Sequence, residues 1–416
     1  MTGPLPARNR MCDMNRFLIF SLVLVLFCSS SMASPPYAGL RTPGEFERTE
    51  LVLVVWDNDP LFLGIVDGLV PCVKVGVVVS SSYQQSQAEN YLQQNGVPLD
   101  NVIFVQADYD SIWIRDYGPI TIYENNYSRS VIDVIYDRSY RVDDDLFPQA
   151  FAGLYGWQRY DLPIQFGIGN FMSNGREFIV STNAIISENN STYAAVAAVM
   201  QDYFGTETYV ALQPLVDDPS SSPTALVHID MQAKLLAPGL AVVISVPQGH
   251  TYYNRLEANV SVLESLSLAN GQDLEVFRLP IHTSGTSPVY TYSNSLIAND
   301  VVLLPVYGYS EDQDAIDSYS ALLPGKTIVP LDCADIIWMN GAIHCITMQI
   351  PAMAADLNAN GRTDMADTCL LLQQLSLGYD FNLDPNRDYG LDSQDLGIVL
   401  SSQGQESLFF QGNVTM

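Results

Sequence analysis

Basic residues are scarce in this chain. Across 416 residues, 18 Lys and Arg stand against 46 Asp and Glu, a formal charge of −28. So acidic a polymer repels phosphate backbones and anionic lipid, which argues against nucleic acid and negatively charged membranes as partners and favours cationic ligands. Charge of either sign is sparse, at 15% of residues against 48% hydrophobic, so the chain can bury a large core and is not disordered. Cysteine is rare. Cys12 and Cys28 fall in a leader-like stretch, and Cys72, Cys333, Cys345 and Cys369 are too few and too scattered for a disulfide scaffold. The Cys and His spacing of a structural zinc site is missing. With only His228, His250, His282 and His344 present, candidates for a general base are few.

The most continuous apolar run near the start, Phe17 to Cys28, is shorter than the about 20 residues that a membrane-spanning helix needs. Preceded by Arg16 and followed by Ser31-Met32-Ala33, it reads as a signal peptide over residues 1–33, and the protein is expected to be secreted or periplasmic. A short linker, 34–42, follows. From Pro43 to Pro351 short runs rich in Val, Ile and Tyr, such as "LVLVVW" (51–56), "VKVGVVVS" (73–80) and "GLAVVISV" (239–246), alternate with helical patches such as 81–96 and 191–205. Buried strands alternating with helices predict an α/β domain with no membrane span.

Beyond residue 351 the texture changes. "DLNANGRTDMAD" sets Asp356, Asn358, Asn360, Asp364 and Asp367 at positions 1, 3, 5, 9 and 12 of an EF-hand-type loop, with Gly361 at the sharp turn. "DPNRDYGLDSQD" repeats the arrangement with Asp384, Asn386, Asp388, Asp392 and Asp395, its glycine displaced to Gly390. Each loop leads into an apolar, helix-like run. One such loop reads as a solvated turn; two copies point to calcium. Residues 356–403 resemble a type I dockerin module, which implies a small all-α unit holding two Ca²⁺ and a cohesin-like partner. Residues 404–416 form a tail.

Three stretches carry residues suited to chemistry. In "HIDMQAKLL" (228–236), His228 and Asp230 are two apart in a strand-like run, which would place both on one face. "SIWIRDYGP" (111–119) sets Trp113 beside Asp116 at a strand end. In "NGAIHCITMQIP" (340–351), Cys345 lies in another strand-like run, where alternation would turn His344 to the opposite face. Each has an ordinary structural reading: a core histidine, a turn-capping Arg–Asp pair, a buried thiol. Together they converge on a guanidinium. That planar cation calls for carboxylates on its N–H edges, a thiolate for its carbon and a histidine for its protons.

These three motifs, in this order, together with "PGEFERTELVLVVW" (43–56), resemble the agmatine deiminase and bacterial peptidylarginine deiminase family of guanidine-modifying enzymes over residues 43–351. The resemblance implies a pentein fold, a five-bladed α/β propeller, and a hydrolysis without a catalytic cofactor. It implies Cys345 as nucleophile, His228 as general acid and base, Asp116 and Asp230 as guanidinium clamps, Trp113 against the substrate stem and Asn294 beside the cysteine. Two departures stand out: the family's acidic-Gly-Gly-Asn stretch is Gly167-Ile168-Gly169-Asn170 here, and Val227 replaces the glycine before the histidine. Arg138 and Arg141, in a chain poor in bases, are candidates for binding an α-carboxylate, which favours peptidyl or C-terminal arginine over agmatine. Their plain alternative is pairing with Asp143, Asp144 or Asp145. An amidinotransferase and a non-catalytic arginine-binding protein are the rival readings.

Overall fold

The strand Thr49–Val55 is buried along its whole length because it is covered on both sides, as its unbroken apolar run implies. In a computed structural model of the chain, which describes residues 35–36, 39–125, 127–216, 224–407, 409 and 414–416, this strand lies at the heart of a five-stranded sheet. The signal peptide expected at 1–33 lies outside the described residues, as does part of the 34–42 linker. Four further sheets of three strands accompany it.

All five share one plan. A strand pairs antiparallel with the next, which then runs parallel to a third across a helix. Ala233–Ala237, Leu240–Ser245 and Glu275–Pro280, with helix Tyr253–Leu263 before the third strand, are an example. In the first sheet the antiparallel partner comes from the far end of the domain: Thr347–Pro351 pairs with Thr49–Val55, setting Val52 against Gln349 and Val54 against Thr347. The stretch from Thr49 to Pro351 is thereby joined end to end through one sheet.

Local chemistry sets the helix ends. Asp59 caps the helix Pro60–Leu69, with Pro at the first helical position, and Ser81 and Thr192 cap Ser82–Gln94 and Tyr193–Phe204. The last of these stops at Gly205, φ +69°, where a Cβ would sit 2.2 Å from the Leu40 carbonyl oxygen.

Three short stretches depart from the sequence reading. Ile114–Tyr117 is a single helical turn; Ile229–Met231 and His344–Ile346 are 3₁₀ turns preceding the strands Ala233–Ala237 and Thr347–Pro351. Alternation along a strand therefore does not govern His228 and Asp230 or His344 and Cys345.

Residues Ala33–Met416 form one compact unit. Past Pro351, helices Met365–Gln374 and Ser393–Ser401 each begin in an Asp capping box, Asp364 with Asp367 and Asp392 with Asp395, and share a small core with Leu357, Leu371, Leu383, Ile398 and Val399. The segment is not purely helical, since Val414–Thr415 adds a parallel strand beside Val105 and Gln106. It is also fastened to the body. The Arg387 guanidinium donates from Nε and Nη2 to Glu47 Oε2 at 3.1 and 3.0 Å, and the Tyr389 hydroxyl donates to Glu177 at 2.7 Å. Among the described residues no helix is long and apolar enough to cross a membrane.

Candidate active site

Asn294 organises the nucleophile. Wholly buried, it accepts from the Ala342 and Cys345 amides through Oδ1, at 3.0 and 3.4 Å, and donates from Nδ2 to the Cys345 sulfur at 3.2 Å. Gly341 leaves room for this loop, because a Cβ there would meet Trp113 at 2.5 Å and the Cys345 sulfur at 3.2 Å. Trp113 and Cys345 thus face one space. Cys345 is a free thiol, as are Cys72, Cys333 and Cys369.

Asn170 plays the matching part for the histidine. Its Oδ1 accepts from the amides of Thr182 and Ile229, and Thr182 Oγ1 donates to the Val227 carbonyl, which fixes the turn carrying His228 and Asp230. A Cβ on Gly169 would lie 2.8 Å from His228 Nδ1, 2.9 Å from Asp116 Oδ1 and 3.1 Å from Asp230 Oδ2. Those three side chains converge on one glycine, so the Gly-Ile-Gly-Asn stretch keeps the glycine that packing demands. The Gly169 amide donates to Asp116 Oδ1 at 3.3 Å.

The electrostatics divide the two carboxylates. Burial would raise the Asp230 pKa, but a hydrogen bond from His344 at 2.7 Å and the nearby His344, His228 and Arg115 charges hold it below the usual carboxylate range. Asp116 lacks such support, and burial with the Asp230 charge close by pushes it up to about 6, against the pull of His228. His228 Nδ1 lies 3.5 Å from Asp116 Oδ1; burial alone would lower its pKa, but Asp116, Asp230, Asp137 and Glu188 together raise it. Cys345 is pushed well up, by burial first and then by Asp230 and Asp116, so the resting group is a neutral thiol. Asp230 Oδ1 is buried without a hydrogen-bond partner, an acceptor left open inside the site.

A cavity of about 190 Å³ reaches Cys345 and Asp116 from outside, lined also by Trp113, Tyr136, Arg138 and Arg141. Neither arginine pairs with Asp143–Asp145. Arg138 meets Asp137 at 3.0 Å, and Arg141 donates to the Tyr136 hydroxyl at 2.9 Å and to Ser111 Oγ at 3.3 Å. Of the eight residues expected to act on or bind substrate, Trp113, Asp116, Arg138, Arg141 and Cys345 line this cavity, while His228 lies beside Asp116, and Asn294 and Asp230 lie beside Cys345. Sequence reasoning missed Glu45, Lys234 and Arg115, and it misplaced His344. His344 does not turn away: its ring lies between Asp230 and Glu45, because a 3₁₀ turn has no two-residue alternation.

The loop residues of the tail bond mostly to nearby backbone amides, with one side-chain pair among them, Asn386 Nδ2 donating to Asp388 Oδ2 at 3.0 Å. Asp356 accepts from the Asn360 and Gly361 amides, Asn358 from Asn360, Asn360 from Arg362, Asp364 from Ala366, and Asp367 from Leu357, Asn358 and Asp364. In the second loop Asp384 accepts from Arg387 and Tyr389, Asn386 from Asp388, Asp388 from Gly390, and Asp392 from Gln394. Asp395 takes the Asp392 amide on Oδ2 and keeps a buried, unpartnered Oδ1. Among the described residues no three His, Cys, Asp or Glu side chains form a ready-made metal cluster.

Residues 41–351 match the family model described as Porphyromonas-type peptidyl-arginine deiminase. The chain belongs to this family. The deiminase is thus a guanidine-modifying hydrolase of C–N bonds. An Enterococcus faecalis protein provisionally named an agmatine deiminase is 25% identical over 374 residues, covering 77% of this chain and 98% of that one. The solved agmatine deiminase of Enterococcus faecalis superposes with a TM-score of 0.65 at 24% identity, over 75% of this chain and 96% of that one. For the C. jejuni agmatine deiminase the TM-score is 0.62 at 18% identity, with 75% and 96% covered. These likenesses establish a mixed α/β fold of pentein type.

Proposed function

We propose that the deiminase converts arginine at a peptide C-terminus, or within a peptide, to citrulline and ammonia, with Cys345 as nucleophile. The placement of Asp230 beside the thiol carries this reading: Oδ2 lies 3.6 Å from the Cys345 sulfur, and Oδ1 is a buried carboxylate oxygen without a donor, an open place for a guanidinium N–H. Asp116 grips another edge. A cation seated between the two carboxylates cancels the negative field that holds the Cys345 proton on, so the substrate itself promotes thiolate formation. His228, whose pKa the surrounding carboxylates raise, accepts the proton that Cys345 gives up, the thiolate adds to the guanidinium carbon, and His228 hands that proton on to the departing nitrogen, which leaves as ammonia. His228 then takes a proton from water, the hydroxide adds to the S-alkylthiouronium carbon, and expulsion of the thiolate leaves the ureido product.

Arg138 and Arg141 on the cavity wall support a carboxylate-bearing substrate. The agmatine deiminases among its relatives favour a second reading, in which agmatine is the substrate and both arginines serve only their present partners. Ammonia release by wild type and Cys345→Ala with agmatine, free arginine and an arginine-ending peptide separates the two, and Arg138→Ala with Arg141→Ala should lower the peptide-to-agmatine activity ratio. Release of the substrate's own amine together with a guanidinylated acceptor, without ammonia, would replace hydrolysis by amidino transfer.

The same proposal includes the wider architecture. The five sheets are read as blades of a propeller, and the leader as a signal for export, testable by mass spectrometry of the mature N-terminus from culture medium. Calcium is assigned first to the second tail loop, where Asp395 Oδ1 lacks a donor, with Asp384, Asn386 and Asp388 supplying further oxygens. In the first loop Asp367 is saturated by backbone amides and must release some of them to bind an ion. Calcium should raise the melting temperature of wild type and not of Asp395→Ala. A cohesin-like partner would meet the exposed Leu372 and Leu377, since Arg387 and Tyr389 face the body.

A further inference from the structure

His344 has no role in the scheme above, yet it is among the most tightly held side chains in the protein. Its Nδ1 lies 2.7 Å from Asp230 Oδ2 and its Nε2 lies 2.8 Å from Glu45 Oε2, with the residue 1% exposed. Two carboxylate oxygens on two ring nitrogens are both satisfied only when each nitrogen carries a hydrogen. The line continues inward. Glu45 Oε1 takes the Lys234 ammonium at 2.5 Å and the Ile297 amide at 3.0 Å, and Lys234 also donates to the Ser295 carbonyl at 2.6 Å. The other charged or titratable groups around His344 are Arg115, whose Nε donates to the His344 carbonyl, and Cys345 and Asp116 on the substrate side.

We infer that His344 is a positioning residue: clamped by the buried Lys234–Glu45 pair, it pins Asp230 by Oδ2, the oxygen 3.6 Å from the Cys345 sulfur, and so fixes the carboxylate beside the thiol for the guanidinium. The carboxylate has two edges. With Oδ2 held by a ring N–H, the group can neither rotate nor accept a proton easily, and its orientation beside Cys345 is fixed before the substrate arrives. A neutral, freely rotating Asp230 would grip the cation poorly. Glu45 and Lys234 do the same one step further out, keeping the ring from swinging toward the solvent side. The signal for this in the sequence is the separation of Glu45 and His344 by 299 positions, which no local pattern links.

This inference rests on the deimination reading, so its test uses binding as well as turnover. In a Cys345→Ala background, the Kd of an arginine-ending peptide is measured by calorimetry from pH 5 to 9 with His344 intact, as His344→Gln and as His344→Asn. The Asn amide nitrogen can stand near the place of Nδ1 and keep the bond to Asp230; the Gln amide reaches toward Glu45 instead. His344→Gln is expected to weaken binding about 10- to 100-fold, the scale of a charged hydrogen bond lost from a buried group. His344→Asn is expected to recover about tenfold of that, and both variants should move the acid limb of the Kd profile upward in pH. Equal affinities in all three chains, or a uniform loss with the acid limb unmoved, overturn the inference. If circular dichroism shows both His344 variants unfolded, Glu45→Gln is read by the same criteria. Ammonia assays in the Cys345 wild type are kept separate: their silence refutes the deimination reading, whereas intact peptide binding that ignores His344 refutes only this one.

Discussion

Glu47 and Arg387 lie 340 residues apart and form a buried ion pair, with side chains 3% and 8% exposed. Removing one partner of such a pair costs about 3–5 kcal/mol when the other is left uncompensated. The two ends are not equivalent here. In Arg387→Met, Glu47 retains Arg41 at 2.6 Å and the Gly44 amide at 2.9 Å, so the loss should fall to about 1–3 kcal/mol, the worth of charged hydrogen bonds. In Glu47→Gln, Arg41 and Arg387 both lose their carboxylate, and Arg387 Nη1 already has no partner, so the loss should reach about 3–5 kcal/mol. The double variant should be less destabilised than the sum of the singles, by about 1–3 kcal/mol. Urea unfolding at pH 7.5, read as midpoint at constant slope, measures all four chains. The sign with pH follows from Glu47: burial would raise its pKa, but Arg41 and Arg387 hold it low. Its contribution is full above the unfolded carboxylate value and disappears as pH falls through the depressed folded one, so the gap between wild type and Glu47→Gln should close in acid. Equal effects of the two single variants, or strict additivity in the double, would show that the tail does not lean on Glu47.

The pKa of Asp116, pushed up to about 6, predicts that KM for the guanidine climbs as pH drops below that value while Asp230 stays ionised; a KM flat from pH 8 to 5 would refute it. The raised pKa of Cys345 predicts that neutral iodoacetamide should label it more slowly at pH 8 than it labels free cysteine, whereas a cationic haloacetamidine should label it faster, by mass spectrometry. Fast labelling by the neutral reagent at pH 7 would contradict this. Asn294→Ala removes one donor to sulfur and the acceptor of two loop amides, and kcat should drop about 100-fold, with Asn294→Asp failing to restore it.

Much of the site is legible because guanidine chemistry dictates residue types, and Asp116, His228, Asp230 and Cys345 sit in recognisable stretches, whereas Asn294 comes only from the family resemblance. The long buried runs likewise announced their strands, since Leu51 to Val55 and Val75 to Val79 have no alternative to a core. What escaped was geometry on the scale of three residues. The turns at 229–231 and 344–346 carry no periodicity, so they were read as parts of the adjoining strands, and His344 was aimed the wrong way. Glu45 and Lys234 gave no sign of belonging together, because a contact across 189 positions leaves no local trace. The fastening of the tail through Arg387 and Tyr389 is hidden for the same reason: both read as loop residues among acidic positions, and only the folded chain brings Glu47 and Glu177 to them.

The sheet that opens with Thr49–Val55 receives its neighbour Thr347–Pro351 only after nearly three hundred further residues have been made, and Val414–Thr415 later still. A ribosome adding about 5–20 residues per second leaves that first strand waiting many seconds with one edge bare. Until residue 351 emerges, the closing strand and Cys345 are both absent, so the nucleophile and the strand that completes the domain arrive together and no partly made chain can carry a finished site.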